Sequence, residues 1–441
     1  MTQKIGITQL IEGLRQKGVY DVFTQRKLDP LTSTFQGAAE ITKKERVLTQ
    51  QVFGSLIDQI DKTGEIRFFD LTDAAKGPSA ARVLCEAQQF LGFGNTGPVY
   101  SVTFEKKPYA LKIYSAAQLH ELVQAHGKFG LAGVLYDLEQ EEHAATLTDL
   151  GKQVLRRKPS GVYARARRLV QIHKVGQSGD YLFLLMELLA VDPIGKVDPA
   201  DMGGDLVDLV SWAVDCAVGL CHLHVEERRL HLNLRPEAFI KKQSQPSSRL
   251  PKYTFFHYPK TYYRPPSSAC LTTEFIMVDH LDNSVDIGDS APKGLGTVGS
   301  WPFMPPEAIL YLLQTLRSDY QEFVQLGKPL EGERTLKMKR SQMDDIWALG
   351  VTLYQFLSGG KFPFGEPKNL GDMVNSILLT KFDFSPIDKL LRDLLSSMLD
   401  KDPKKRFQRL LDGCPEKIQS RRALAEAVLF KLEQIAVRLQ P

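Results

Sequence analysis

Hydrophobic residues recur every three to four positions along residues 41–61, with the sequence ITKKERVLTQQVFGSLIDQID. This spacing puts the apolar side chains on one face and predicts an amphipathic helix that ends near Gly64. A short extended segment, EIRFFDLTD, follows this helix. Residues 1–85 as a whole are predicted to be mostly helical.

Farther along the chain, strand-like alternation gives way to helical spacing. Residues 88–114 alternate apolar and small side chains around a turn at 105–107. The unbroken apolar run YLFLLMELL, at 181–189, predicts a buried strand. Helices are predicted over 115–150, over 205–226 and through most of the chain after residue 341. A small strand-rich part before a larger helix-rich part predicts the α+β class.

Composition and charge narrow the classes of function. The 441 residues are 43% hydrophobic and 24% charged, as expected for a soluble globular chain of two or three domains. The 56 basic and 52 acidic residues leave a formal charge of +4, too small to indicate nucleic acid or a membrane as the main partner. No apolar run approaches the length of a membrane span.

The lack of an apolar signal-peptide region and the isolated cysteines predict a cytoplasmic protein. The N-terminus has no apolar signal-peptide region, although its mildly amphipathic, basic character keeps organelle import open as an alternative. The five cysteines form no CxxC pair and predict free thiols in a reducing compartment: Cys85, Cys216, Cys221, Cys270 and Cys414. No metal site is expected from them.

Three glycines between two predicted strands form the first chemical motif. The segment LGFGNTGPV contains Gly92, Gly94 and Gly97 and ends at Val99 in a G-x-G-x-x-G-x-V pattern. Glycines allow the backbone to approach a phosphate group closely, although this pattern alone also fits an ordinary glycine-rich hairpin. Lys112 follows Val99 by thirteen residues on a predicted strand, where a lysine can reach the α and β phosphates of a nucleotide.

From about residue 90 to residue 410 the chain resembles the eukaryotic-type protein kinases. The order of the matching segments carries this resemblance: LGFGNTGPV, YALK at 109–112, MELL at 186–189, HLNLRPEA at 231–238, DHL at 279–281, GT at 296–297, PPE at 305–307, DDIWALG at 344–350 and DPKKR at 402–406. In this pattern Arg406 is the arginine that pairs with Glu307.

The resemblance implies an α+β, bilobal protein-kinase-like fold, with a small β-rich N-lobe and a large helical C-lobe. The expected boundaries are a helical N-terminal extension at 1–85, an N-lobe at 86–190 and a C-lobe at 191–441. Two inserts are expected within the C-lobe, at 243–272 and 310–341. The first insert is rich in Pro, Ser and aromatic residues.

The resemblance also implies a site for ATP and Mg²⁺. Its cofactor-binding residues are expected to be Gly92, Gly94, Gly97, Val99, Ala110, Lys112, Glu142, Glu187, Leu189 and Ile240, and its metal ligand Asp279. Glu142 is expected to pair with Lys112, with Glu139 and Glu141 as alternatives. Glu187 and Leu189 stand where backbone groups contact adenine, which side chains at 99, 110 and 240 would sandwich.

Two loops depart from the kinase pattern. Asn233 stands in place of the catalytic aspartate, and a neutral amide cannot act as the base; loss of a positioned base costs roughly 10²- to 10⁴-fold in rate. Ala238 replaces the asparagine that holds a second magnesium ion, and Arg235 replaces the catalytic-loop lysine without being equivalent to it. The remaining departures are Leu232, His280 and Leu281.

The combination predicts a pseudokinase that acts as a scaffold or allosteric regulator and binds ATP but transfers phosphate poorly. Protein partners are expected at the N-terminal region and the two inserts, because aromatic and basic residues together favour interfaces. Nucleic acid is not expected as a partner. The alternatives are a weakly active or atypical Ser/Thr kinase, another ATP-using transferase, or a purely structural subunit without nucleotide.

Overall fold

The structure is a computed structural model of the chain. It describes residues 52–70, 82–94, 97–116, 172–188, 206–226, 229–232, 234–243, 274–278, 285–286, 301–310, 341–368 and 370–439. These residues belong to two compact units, one within 52–188 and the other within 206–439. Of the helix predicted over 115–150 and the inserts predicted at 243–272 and 310–341, residues 117–150, 244–272 and 311–340 lie outside the described residues.

Six antiparallel strands close into a barrel in the first unit, in the order β1-β2-β3-β4-β6-β5. The strands are β1 (Glu65–Asp70), β2 (Arg82–Gly94), β3 (Gly97–Phe104), β4 (Lys107–Ser115), β5 (Ile172–Ser178) and β6 (Tyr181–Glu187). Helix α1, at residues 52–63, precedes β1. Gly64 follows this helix with a φ of +64°, which confirms the predicted helix end.

One face of strands β1 to β4 and β6 supplies the barrel core. Its buried side chains come from strands β1 to β4 and β6 and from α1: Phe53, Leu56, Ile60, Ile66, Phe68, Val83, Cys85, Tyr100, Val102, Leu111, Ile113, Phe183 and Leu185. Successive side chains of a strand point to opposite faces, so the alternation predicted over 88–114 is what fills this core. Burial raises the pKa of Cys85 to about 12, which keeps this core thiol protonated.

Strand β1 closes the barrel by pairing with β2 along one edge and with β5 along the other. At this seam the Lys174 ammonium lies 2.5 Å from the Asp70 carboxylate, which is fully buried. The ring of Phe68 stacks on Phe183 with 5.1 Å between centroids. A Cβ at Gly176 would overlap the Phe68 ring, so only glycine lets β5 approach β1 this closely.

The closed barrel overturns the predicted fold class. A bilobal protein-kinase-like fold with a helical N-terminal extension was expected, and residues 65–70 were taken as a short extended piece within that extension. They instead form β1, whose two edges join β2 and β5 into a closed six-stranded sheet. The prediction was wrong because the sequence of β1 shows its period of two but not its two partners, one of which lies more than a hundred residues away.

The second unit contains mainly helices. Its helices are α2 (Leu206–Cys221), α3 (Gln342–Ser358), α4 (Leu370–Leu379), α5 (Lys389–Met398), α6 (Pro403–Leu411), α7 (Glu416–Arg421) and α8 (Leu424–Arg438). A π-helical turn, His222–Glu226, extends α2. Two short strand pairs complete it: β7 (Arg229–Leu230) with β10 (Val285–Asp286), and β8 (Phe239–Gln243) with β9 (Glu274–Val278).

Helix α3 forms the centre of this unit, and every residue from 343 to 356 is buried. A capping box at Ser341 and Asp344 begins the helix, and Gly359 ends it with a φ of +69°. Helix α8 packs along α2 and also contacts α3, α5 and α6. None of the helices in the described part of the chain is long and apolar enough to cross a membrane.

The barrel seam can be tested with Gly176→Ala. The added methyl group has no room beside Phe68, so we expect a loss of about 1–3 kcal/mol of unfolding free energy from overpacking, measured by urea denaturation. Gly54→Ala is the matched control, because a Cβ there meets open space in helix α1. The control should be neutral or stabilising by up to about 1 kcal/mol. Equal stability of Gly176→Ala and the native chain would contradict the tight seam.

Glu433 on α8 gives a pH dependence of stability. It is 6% exposed, and burial raises its pKa from the ordinary 4.5 to about 7. The raised pKa stabilises the folded state in its protonated form. This contribution to the unfolding free energy is complete below pH 4.5 and is lost as the pH rises through 7. We therefore expect Glu433→Gln to match the native chain near pH 4 and to exceed it by up to about 3 kcal/mol at pH 8. Chemical denaturation at both pH values measures the difference, with exposed Glu416→Gln as control; an equal effect at both values would refute it.

Candidate functional site

Three of the predicted nucleotide-binding residues share one face of the barrel sheet. Val99 on β3 pairs with Lys112 on β4, and Lys112 pairs in turn with Leu184 on β6. Ala110 lies two residues before Lys112 and pairs with Met186. Positions two apart on a strand point to the same side, so Val99, Ala110 and Lys112 lie opposite the face that fills the barrel core.

Lys112 is buried on this face, with 8% of its surface exposed. This excludes the simplest alternative, a solvated lysine on a surface strand. Its ammonium lies 5.1 Å from the centre of the Tyr114 ring. Burial of an ammonium group is costly unless other groups compensate its charge. The predicted partner Glu142 and its alternatives, Glu139 and Glu141, lie outside the described residues.

The glycine-rich motif forms the end of a strand pair. β2 ends at Gly94 and β3 begins at Gly97; these two residues face each other, as do Gly92 and Val99. The register shifts between Phe90 and Gly92, as at a β-bulge. The motif thus spans the ends of the antiparallel pair β2 and β3, and Val99 at its end aligns with Lys112.

The predicted hinge begins at the end of β6. Glu187 pairs with Tyr109 and therefore lies on the opposite face of the sheet from the pair of Ala110 and Met186. Its side chain is half-buried. Glu187 and Leu189 were expected to contact adenine through their backbone groups. Strand β6 does end at Glu187, and Leu189 lies outside the described residues.

The loop that resembles the kinase catalytic loop is fixed to helix α3 by Asp345. One Asp345 carboxylate oxygen accepts the His231 backbone N–H, and the other accepts the Leu232 backbone N–H, each at 2.7 Å. The His224 Nε2 lies 2.8 Å from the same carboxylate. All three partners lie within the helical unit, and Asp345 is fully buried.

The electrostatics of Asp345 favour its charged form. Burial alone raises the pKa of this carboxyl, but the hydrogen bond and charge of His224, together with the charge and backbone N–H of His231, outweigh burial and lower the pKa. The carboxylate therefore stays ionised and holds Leu232 at a φ of +63°, a left-handed conformation that costs a non-glycine residue about 1–3 kcal/mol.

Several predicted residues follow this anchored loop. Arg235 is half-buried, and Ala238 is fully buried at the end of a short 3-10 turn, with no side-chain atom that can bind a metal. Ile240 lies on β8 and pairs with Met277 of β9. β9 ends at Val278, one residue before the predicted metal ligand Asp279. Both Asn233 and Asp279 lie outside the described residues.

The ion pair expected between Arg406 and Glu307 is confirmed. The Arg406 guanidinium donates to the Glu307 carboxylate and to the backbone oxygen of Asp400, and it lies 5.1 Å from the Trp347 ring. Burial raises the pKa of Glu307 and lowers that of Arg406, so desolvation opposes their mutual attraction. The guanidinium nevertheless stays protonated at physiological pH.

The predicted residues thus form two sets, one in each unit. Val99, Ala110 and Lys112 lie together on the barrel sheet, whereas Arg235, Ala238 and Ile240 follow the anchored loop. Within the described residues no three His, Cys, Asp or Glu side chains are grouped so that they could hold a metal ion. Neither Asp345 nor His224 was predicted as a site residue, because Asp345 lies more than a hundred residues along the chain from His224, His231 and Leu232.

Comparisons with known proteins support a distant relationship to Ser/Thr protein kinases. No protein-family model matches the chain. Over 257 residues it is 24% identical to the serine/threonine-protein kinase DCLK3 of Homo sapiens and 23% identical to that of Mus musculus. Both matches cover 54% of this chain but only 29% and 24% of the relatives, so the similarity spans less than a third of their length.

The Asp345 anchor predicts a large effect of substitution on stability. Asp345→Ala leaves two buried backbone N–H groups and His224 without their acceptor, so we expect a loss of about 3–5 kcal/mol in thermal or urea unfolding. Asp345→Asn keeps one oxygen acceptor and should lose less. The control is Asp388→Ala, which removes only the N-cap of α5 and should cost about 1 kcal/mol. Similar losses for Asp345→Ala and Asp388→Ala would contradict the anchor.

Proposed function

We propose that this protein is a kinase-related pseudokinase that binds ATP with Mg²⁺ and regulates or scaffolds protein partners, without efficient phosphotransfer. The proposal rests on the contrast between the predicted residues on the barrel sheet and those that follow the loop anchored by Asp345. A buried lysine shares a sheet face with Val99 and Ala110, while Ala238 offers no ligand where a second metal would need one.

Support for ATP binding comes from the barrel unit. A triphosphate carries several negative charges, and the buried Lys112 ammonium supplies a positive charge in a low-dielectric place. Val99 and Ala110 add small apolar surface on the same face, which suits a flat base. The glycine hairpin places backbone without Cβ atoms just before Val99. In this proposal Asp279 holds the Mg²⁺ ion and Glu142, Glu139 or Glu141 orients Lys112.

Support for poor phosphotransfer comes from the loop 231–238. Phosphoryl transfer relies on positioning and charge, with a carboxylate that orients the attacking hydroxyl group. The sequence has the amide Asn233 at that position and the methyl group of Ala238 at the position of a metal ligand. Arg235 keeps a positive charge, but its planar guanidinium is not equivalent to a lysine ammonium. Binding and catalysis are thereby separated.

Support for a scaffold role comes from the insert at 243–272. Gln243 at the end of β8 pairs with Glu274 at the start of β9. The two ends of the insert therefore lie next to each other on the helical unit, as expected for a segment added between two paired strands. Its aromatic and basic residues suit a protein interface. We assign partner binding to this insert, to the N-terminal region and to the insert at 310–341, and we place the protein in the cytoplasm.

A second candidate is a weakly active Ser/Thr kinase or another ATP-using transferase. The similarity to a protein named serine/threonine-protein kinase favours it. A third candidate, a structural subunit that binds no nucleotide, follows if the buried Lys112 only stabilises the barrel. The three candidates differ in two measurable properties, nucleotide binding and phosphotransfer.

Thermal unfolding with ATP and Mg²⁺ tests nucleotide binding. ATP at a hundred times its dissociation constant is expected to add about 2.7 kcal/mol of stability. Lys112→Met keeps the length of the side chain without its charge and should abolish this gain. Lys107→Met, at an exposed lysine on the same strand, should retain it. Absence of any shift at millimolar ATP would favour the structural subunit.

The same proteins, in a phosphotransfer assay with labelled ATP, separate the remaining candidates. We expect background activity from the native chain, with little gain from Asn233→Asp because Ala238 still lacks a metal ligand. Strong native activity that Lys112→Met abolishes would replace the pseudokinase by an active kinase. Strong activity gained by Asn233→Asp alone would show that one residue had blocked catalysis.

A further inference from the structure

A dense group of positive charges lies on the helical unit, apart from the residues discussed above. Residues 341–400 contain five basic and eight acidic residues, a formal charge of −3. The next 22 residues, 401–422, contain eight basic and three acidic residues, a formal charge of +5. The charge of the chain thus changes sign at α6, within one unit.

Some of these cations already have partners. Lys401 donates to the backbone oxygen of Thr380 and lies over the Phe382 ring, and Arg409 pairs with Asp400. Arg406 is the buried partner of Glu307. Four exposed cations make no ion pair with any residue that the structure describes: Lys404, Lys405, Arg421 and Arg422.

The nearby carboxylates are directed toward other groups. Asp402, the N-cap of α6, accepts the backbone N–H groups of Lys404 and Lys405 rather than their ammonium groups. Asp412 accepts from the Gln408 side chain at the other end of the helix. Asp402 attracts Lys404 and Lys405 electrostatically without forming an ion pair with either, so their ammonium groups can still bind an external anion.

Arg422 has an unusual backbone conformation, and its side chain lies toward α6. It caps the end of α7 with a φ of +54°, where glycine is the usual residue, and its N–H donates to the carbonyl groups of Ile418 and Gln419. Its guanidinium lies 5.8 Å from the centre of the Phe407 ring. Phe407 follows Lys404 by three residues, so the two share one face of α6.

We propose that this surface, formed by Lys404, Lys405, Arg421 and Arg422, binds an acidic peptide segment of a protein partner. Four unpaired cations match a short row of carboxylates, and the Arg422 fork can bind a carboxylate through two hydrogen bonds. Nucleic acid fits less well, because the only aromatic ring here is covered by Arg422 and high affinity for it takes more phosphate contacts. A membrane surface also fits less well, because none of the exposed large apolar residues lies within 401–422.

Fluorescence anisotropy of the full chain with a labelled twelve-residue peptide of alternating Glu and Ser tests this proposal. We expect binding that weakens as salt increases, and none with the peptide that carries Gln for Glu. Arg422→Gly removes the charge and relieves the left-handed backbone, so it should weaken binding about three- to fivefold without loss of stability. Adding Lys404→Gln and Lys405→Gln should bring the loss beyond about tenfold.

The matched control is Lys389→Gln. Lys389 is exposed and begins α5 directly after an aspartate N-cap, as Lys404 and Lys405 follow Asp402. It should bind the acidic peptide as the native chain does. The proposal fails if the peptide does not bind, or if Lys389→Gln weakens binding as much as the variants of the surface. It also fails if a single-stranded RNA or vesicles with phosphatidylserine bind more tightly through the same four residues.

Discussion

The helical unit depends on the carboxylate of Asp345, which accepts hydrogen bonds from residues more than a hundred positions earlier in the chain. It lies on the buried part of helix α3 and accepts the N–H groups of His231 and Leu232, with His224 as a third partner. A buried charge without these partners would cost several kcal/mol, so the loop and the helix must fold together. The left-handed backbone at Leu232 persists because the same two hydrogen bonds hold it.

The barrel unit depends on a comparable constraint at its seam. The Asp70–Lys174 pair, the Phe68–Phe183 stack and the space left by Gly176 act at the same edge of β1. Closure pairs β1 with β2 along Glu65–Phe69 and with β5 at Phe69 and Asp70, which covers the end of its second edge. It also fixes the curvature of the sheet whose opposite face carries Val99, Ala110 and Lys112.

These two constraints bear on the proposed separation of nucleotide binding from phosphotransfer. The barrel sheet keeps a buried lysine, a glycine hairpin and small apolar residues, all of which suit a nucleotide. The loop held by Asp345 keeps the anchored backbone of a catalytic loop, whereas Asn233 and Ala238 lack the groups that would do the chemistry. The 23–24% identity to a Ser/Thr kinase over 257 residues supports a kinase-like relationship.

The sequence by itself determined the local features. The spacing of Val52, Phe53, Leu56 and Ile60 predicts helix α1, and Gly64 marks its end, because helical periods and caps depend on neighbours along the chain. The ion pair of Glu307 with Arg406 was also predictable, from the order of the motifs. Only the tertiary structure decided that β1 closes a barrel and that Asp345 anchors the loop. Those pairings join residues that are far apart in sequence. Hydrophobic periodicity shows which face of a helix or strand is buried, but not which residues cover that face.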